Sequence, residues 1–457
     1  MDNPGVLYET MEEDTRDTGA MRDAALQAAN RLQEAGFAAF WAGGCVRDML
    51  LGRPPADYDI ATGAVPDQVC ALFPGAVAVG KSFGVVRAPV NGLFLEVATF
   101  RRDHSYTDGR RPESVSFSDP PTDASRRDFT VNALFYDPVA DEIHDYVNGR
   151  ADLDARLIRC VGDPALRFSE DYLRMLRAVR FASTLEFSIE PATRSAIEEN
   201  AALISAISSE RIRVEITRAL VESPRAGEAL ELLDSAGLLA HILPEVVAMK
   251  GQEQPPAFHP EGDVFRHTVL MLNEITAPSP ELAWAVLLHD VGKPPTARMG
   301  PDRIRFDGHA EHGAAMAREI MRRLHFSSEQ IDTVTRCVRD HMRFMSVPNM
   351  KRSTLRKMVG APTFPVELEL HRVDCVASHG DTSNYDTLTR FQQEMADEPI
   401  LPDPWVTGND LIKLGLREGP ELGAWKRKAY ELQLEEKAEN KQVLLEWISS
   451  QLPPANT

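Results

Sequence analysis

The sequence predicts an α+β protein, a head built on a mixed sheet followed by a neck, a body and a tail that are all helical. Three observations predict it. Between residues 37 and about 147, short apolar runs alternate with polar turns, as strands do, with helical stretches between them. From residue 165 onward, apolar residues recur at three- and four-residue spacing instead. At 457 residues the chain is also too long for one ordinary core, which implies several domains.

Residues 1–20 are polar and acidic and are expected to form a disordered tail. An amphipathic helix over 21–35 opens the head, which is expected to occupy 21–150. Strands fall at 37–41, 76–79, 85–90, 93–99 and 133–136, and helices at 44–51 and 66–72. A neck over 151–250 follows, with helices at 168–184, 191–206, 209–222 and 225–236, punctuated by Pro224 and Gly237. A Pro-rich break at 254–260 leads to a body over 260–380, helical at 264–274, 281–290, 308–324 and 329–341. A second break at 399–404 introduces a tail over 400–457, rich in Glu and Lys.

The composition is that of a soluble globular protein, 43% hydrophobic and 26% charged. A net charge of −19 argues against a general nucleic-acid binder. Arg101, Arg102, Arg110, Arg111, Arg126 and Arg127 nevertheless concentrate positive charge in one segment, which allows a local basic site. The longest apolar runs, such as 282–288, are too short to span a bilayer, so no membrane association is expected. No basic and apolar leader precedes the acidic start, so no signal peptide is expected. Cys45, Cys70, Cys160, Cys337 and Cys375 are scattered and odd in number, which suits a reducing, cytoplasmic location.

The most informative stretch runs from Phe40 to Thr62. An apolar strand enters Gly43-Gly44, and a short helix follows with Arg47 about one turn in. Backbone N–H groups at such a turn can approach an anion. Asp57 and Asp59 are two apart, so on an extended chain they share a face and can hold a hard divalent cation such as Mg²⁺. Glu96 interrupts the apolar run 93–98, where an unpaired charge is costly, and is the candidate third carboxylate. Taken singly, a DxD is usually a solvated turn and Gly-Gly a tight one; the joint arrangement is far more specific.

This stretch resembles the motif GGxVRDxLLGxxxxDxDxxT of class II tRNA nucleotidyltransferases and bacterial poly(A) polymerases, members of the DNA polymerase β superfamily. The resemblance continues through residues 99–112, similar to the family's flexible loop, and Arg126-Arg127-Asp128 through Ala133, similar to RRDxTxNA. Glu170-Asp171 through Arg174 is similar to EDxxR, and Glu210-Arg211 through Glu215 to the ERIxxE neck motif. One departure is residues 121–125, where relatives often carry a leucine-acidic stretch. The resemblance implies a polymerase-β-like nucleotidyltransferase head. It implies that Asp57, Asp59 and Glu96 are catalytic and hold Mg²⁺, and that Gly44 and Arg47 contact a triphosphate. Arg127 and Asp128 would lie near the nucleotide, with Asp128 accepting from the ribose 2′-OH. Asp171 and Arg174 would read the base edge in place of a template, and Arg177 and Arg180 would serve phosphate or structural roles on the same helix. By residue chemistry alone, that series is equally a salt-bridge ladder.

A second constellation lies in the body: His267, then His289-Asp290-Val291-Gly292-Lys293, His309, His341 and Asp374. It resembles the HD superfamily of metal-dependent phosphohydrolases. The resemblance implies a transition-metal site, Mn²⁺ or Ni²⁺, on His267, His289, Asp290 and Asp374, with His309 and His341 adding ligands for a second ion. The chain has His309-Ala310 where relatives often have His-Glu, which argues against a complete two-metal site.

Three functions are compatible with these motifs. One is template-independent addition of CCA to tRNA 3′ ends from CTP and ATP; the second is A addition or poly(A) synthesis; the third is an HD-type phosphohydrolase with a degenerate head. The intact Asp57 and Asp59 pair argues against the third, and the loop over 101–111 argues against a CC-only enzyme. The core motifs serve CCA addition and A addition alike.

Overall fold

The computed structural model describes residues 18–80, 83–106, 112–256 and 258–452. The acidic stretch expected to be disordered lies almost wholly outside the described residues, as do Asp108, Gly109, Arg110 and Arg111 of the loop. The chain divides into two compact units. One comprises the residues up to Ala219 with Leu232–Ile242; the other comprises Leu220–Glu231 and the residues from Leu243 on.

The first unit is built on a seven-stranded sheet. Its strands are β1 (Ala39–Ala42), β2 (Asp59–Thr62), β3 (Val77–Gly80), β4 (Val85–Val90), β5 (Leu93–Thr99), β8 (Phe135–Asp137) and β9 (Glu142–His144), with a separate hairpin of β6 (Arg101–Tyr106) and β7 (Pro112–Phe117). The sheet order is β3-β4-β5-β2-β1-β8-β9. All neighbours are antiparallel except β2 and β5, which run parallel with Ile60 opposite Val97. Alternation explains which face is covered: Val86, Ala88, Leu95 and Val97 are buried, while Arg87, Phe94 and Glu96 between them are exposed. Helices α1 (Thr18–Glu34), α2 (Gly44–Leu50) and α3 (Pro66–Leu72) fall close to their expected positions. The strand over Asp59–Thr62 was not among the sequence-predicted runs, because Ile60 and Ala61 are its only apolar residues.

Six further helices follow: α4 (Pro120–Ser125), α5 (Gly149–Asp154), α6 (Pro164–Glu170), α7 (Leu173–Leu185), α8 (Pro191–Asn200) and α9 (Ser209–Glu222). The continuous helix expected over 168–184 is therefore two helices. Asp171 breaks it: its backbone is extended (φ −156°, ψ 104°), and its carboxylate accepts from the Leu173 N–H at 3.0 Å, starting α7 afresh. Asp171 thus stands before the helix that carries Arg174, not on it.

The second unit is helical, as expected. Strand pairing beyond residue 240 is confined, among the described residues, to a two-residue hairpin, Arg298–Met299 with Ile304–Arg305. No helix among the described residues is long and apolar enough to cross a membrane.

Candidate functional sites

The parallel pair β2–β5 places the carboxylates. Ile60 and Val97 face each other in the buried layer, so the preceding residues, Asp59 and Glu96, stand side by side on the open face. Asp59 also opposes Ala42, the last residue before Gly43-Gly44. Burial of its surroundings and the charges of Asp57 and Glu96 push the Asp59 carboxyl up to about 7, opposed by Arg127. Asp59 itself keeps solvent access, so mobile ions screen that shift. Glu96 is raised for the same reasons, burial first and then Asp57. Three carboxylates held against mutual repulsion fit a hard divalent cation. Their oxygens are not among the donor groups that converge within 4.8 Å, an open arrangement that like charges favour.

Gly43 adopts φ 79°, a conformation that strains any residue with a Cβ, and a Cβ there would also crowd Arg127 Nη1 at 3.0 Å. Gly44 opens α2. Arg47 is buried and turned inward: it donates to Asp48 Oδ1 (2.8 Å) and Asn132 Oδ1 (2.6 Å) and lies over the Phe181 ring. Arg127 donates to Asp123 Oδ2 and the Asn132 carbonyl, both at 3.2 Å. The departure at 121–125 lies within α4, whose buried Asp123 holds Arg126 and Arg127 together.

The arginine series does not form one ladder. Asp171 is gripped by Arg211 of α9, at 2.5 and 3.2 Å. Arg174 pairs instead with Glu170 Oε2 (2.5 Å) and donates to the Arg167 carbonyl. Arg177 donates twice to Asp128 Oδ2, at 2.6 and 2.8 Å. Burial alone would raise the Asp128 carboxyl, but Arg177 outweighs it and the net shift is downward. Arg180 is buried against Glu215 of α9. Sequence reasoning assigned no role to Glu170, Asn132, Arg211 or Glu215. Arg211 and Glu215 carried a usable signal, since a spacing of four sets both on one face of α9.

In the second unit, His267 Nε2 lies 3.1 Å from Asp374 Oδ1, and its Nδ1 lies 2.7 Å from Glu261 Oε1. Burial opposes charge on His267, but the Asp374 and Glu261 carboxylates push it up to about 9. His289, His309 and His341 each turn Nδ1 to the carbonyl three residues earlier, Val286, Phe306 and Val338, at 2.6–2.8 Å. A carbonyl only accepts, so each Nδ1 carries the hydrogen and each Nε2 presents its lone pair. Two of those lone pairs, on His309 and His341, face each other at 3.2 Å, and burial pulls the His341 pKa down to about 4. Asp290 is buried between the groups, Oδ2 3.1 Å from His289 Nε2 and Oδ1 3.6 and 3.8 Å from the other two. Lys293 donates to Asp290 Oδ2 at 2.6 Å. His267, His289 and Asp374 form one donor set, and Asp290, His309 and His341 another. Lone pairs aimed at one another fit metal ions, the ring N–H bonds fixing the ligating tautomer. Ala310 removes no donor from either set. Glu261 is a further residue the sequence reading passed over, although an acid two residues from His259 was its signal.

The open carboxylate face and the arginine-rich α7 define a class, a nucleotidyltransferase head leading into helices. Three family models match in the same order: the poly A polymerase head domain over 39–159, the probable RNA and SrmB-binding site of polymerase A over 186–249, and the HD domain over 264–374. The chain thus carries a poly A polymerase head domain, a polymerase A RNA-binding region and an HD domain in that order. It is 47% identical over 219 residues to the CCA-adding enzyme of Geobacillus thermodenitrificans, covering 48% of this chain and 54% of that one. It is 41% identical over 239 residues to that of Lactobacillus gasseri, covering 52% and 58%. The match thus spans about half the length of these curated relatives. The crystal structure of the Bacillus stearothermophilus CCA-adding enzyme in complex with CTP is similar over 94% of this chain and 97% of that one, at TM-score 0.73 and 28% identity. A Thermotoga maritima CCA-adding enzyme complexed with tRNA shares the fold, at TM-score 0.59 and 18% identity over 94% and 95% of the two chains.

Proposed function

We propose that this chain adds C, C and A to the 3′ end of tRNA from CTP and ATP, releasing pyrophosphate, in the cytoplasm. The observation that carries the reading is Asp59 beside Glu96 on the parallel β2–β5 pair, with Asp57 close enough for its charge to raise both carboxyls. Bound there, Mg²⁺ would activate the primer 3′-OH and neutralise the triphosphate and the leaving pyrophosphate. Asp57, Asp59 and Glu96 would hold the ions, and the Gly43-Gly44 turn with Arg47 would border the triphosphate. Arg127 and Asp128 would border the ribose, and Arg177 would fix Asp128 while Arg180 anchors α7. Asp171 and Arg174 would meet the base. C and A each offer an exocyclic amino donor beside a ring-nitrogen acceptor, which suits a carboxylate next to a guanidinium; U and G present the reverse. The CTP-bound relative, the tRNA-bound neighbour and the matched RNA-binding model support these partners.

The test is extension by purified protein with Mg²⁺, CTP and ATP of tRNA transcripts ending at the discriminator base, at C and at CC. Completion of all three to CCA is expected. Extension of the CC transcript alone would assign A addition, runs of A would assign poly(A) synthesis, and no incorporation on any transcript would refute the reading.

A second reading concerns the HD-type unit. His289, Asp290, His309, His341 and Asp374 line one cavity of about 520 Å³ with Lys293, which favours metal-dependent phosphoester hydrolysis on Mn²⁺ or Ni²⁺ as an additional activity.

A further inference from the structure

Directly opposed residues of a sheet point to one face, so the strand register maps the surface beyond the carboxylates. Asp59 is level with Glu96; Glu96 opposes Arg87 on β4; Arg87 opposes Val77 on β3. One row therefore crosses four strands, from Asp59 through Glu96 and Arg87 to Val77, a span of about 14 Å at ordinary strand spacing. Two residues before Glu96, on the same face of β5, stands Phe94. It is 55% exposed, and the Arg87 guanidinium lies 5.0 Å over its ring. Val77 and Val79 continue the patch to the edge of the sheet, 58% and 62% exposed. The opposite face of these strands makes the core, so Phe94 is not needed there.

We propose that this patch receives the 3′-terminal nucleotides of the RNA primer, the terminal base stacking on Phe94 and Arg87 pairing with the phosphate behind it. The inference rests on the nucleotidyl-transfer reading of the carboxylates. In-line transfer puts the attacking hydroxyl and the leaving group on opposite sides of the transferred phosphorus. The elements joined to β1 and β8 carry Arg127, Asp128 and α7, the nucleotide side of the triad. The RNA end then approaches from the other side, across β5, β4 and β3. The chemistry of the patch suits that guest. An aromatic ring accepts any base, as needed when the primer ends in turn at the discriminator base, at C and at CC. A cation at Arg87 offsets the repulsion that a chain of net charge −19 exerts on RNA.

The test uses the full chain and a tRNA transcript with 2-aminopurine as its 3′-terminal base. Binding to the wild type should quench its fluorescence. Phe94→Ala should abolish the quench, and Phe94→Trp should keep it. In extension assays, KM for the RNA should rise about tenfold for Phe94→Ala and for Arg87→Ala, while KM for CTP stays within twofold. Both side chains are exposed, and circular dichroism checks the fold of each variant. An unchanged quench and RNA KM in the Phe94→Ala, Arg87→Ala double variant overturns the proposal. So does a rise in KM for CTP alone, or a wild-type dimer that Phe94→Ala splits in sedimentation, which would give the patch to a second copy. If the wild type extends no transcript, the nucleotidyl-transfer reading fails, and the quench, which needs no catalysis, still decides the stacking.

Discussion

Glu215→Gln should loosen the packing of α7 on α9 far more than a surface substitution does. Arg180 donates from Nε to Glu215 Oε2 at 2.6 Å, and the two side chains are 3% and 6% exposed. The Phe181 ring covers the guanidinium at 4.1 Å. Each ion has given up its hydration, and the attraction between them offsets that loss only while both are charged. Glutamine keeps the shape and removes the charge, so the Arg180 cation stays buried against a neutral amide. The cost of breaking such a pair is about 3–5 kcal/mol. Arg177 adds little, because it lies 3.7 Å from Glu215 and keeps Asp128. Native-state hydrogen exchange is the suitable assay, since a chain of two compact units has no single unfolding free energy. At roughly 1.4 kcal/mol per decade, amides of α7 and α9 should exchange about two to four decades faster. Adding Arg180→Met should restore most of the protection, because no stranded charge remains. Equal protection in wild type and Glu215→Gln would refute the reasoning, as would a double variant no better than the single one.

Other outcomes follow from the two sites. Asp57→Ala or Asp59→Ala should abolish incorporation with little loss of fold, since removing one carboxylate relieves repulsion; wild-type incorporation by either would place the metal elsewhere. The Asp59 carboxyl is raised to about 7, so a proton competes with a cation there. Mg²⁺ affinity by titration calorimetry should fall as pH drops below 7, by up to about tenfold per unit, with proton release. Without metal the sign reverses: the raised carboxyl costs stability as pH rises from the ordinary carboxylate range through 7. Affinity independent of pH between 5.5 and 8 would count against the coupling. His289→Ala and His309→Ala should each lower bound Mn²⁺ or Ni²⁺ by elemental analysis and leave the proposed nucleotide incorporation in place; undiminished metal in both would remove the site. Reversing the charges of Asp171 and Arg174 would set like charges against Arg211 and Glu170, so Asp171→Asn and Arg174→Gln are the cleaner probes. Each should narrow the preference for CTP and ATP over UTP and GTP, and unchanged selection in folded variants would move the template function to other residues.

The sites divide into what local sequence can encode and what it cannot. Glu96 was legible because a charge inside an apolar strand has no cheap explanation, and the DxD because two residues of extended chain share a face. That they meet was expected, but the register that joins them was not legible, because the parallel pairing of β2 and β5 brings together positions 37 residues apart with no connecting periodicity. The arginines show the same limit. Steps of three suggested one helix carrying them all, yet each side chain found a different partner: Glu170 for Arg174, Asp128 for Arg177 and Glu215 for Arg180. Those partners lie 4, 49 and 35 residues away, and two of the three distances are invisible to a helical repeat. Asp171 belongs to neither helix because a short carboxylate satisfies the first N–H groups of the next one better than it continues its own.

The histidines show a local device that no motif records. A departure at position 310 argued from sequence against two metals, because a motif counts letters. The structure counts lone pairs: three rings donate Nδ1–H to carbonyls three residues earlier in the chain, and this local geometry turns every Nε2 inward. Ala310 is buried and lies in neither donor set. The inward lone pairs depend on His289, His309 and His341 each keeping its own carbonyl, so substitutions that shift Val286, Phe306 or Val338 would scatter the donor atoms.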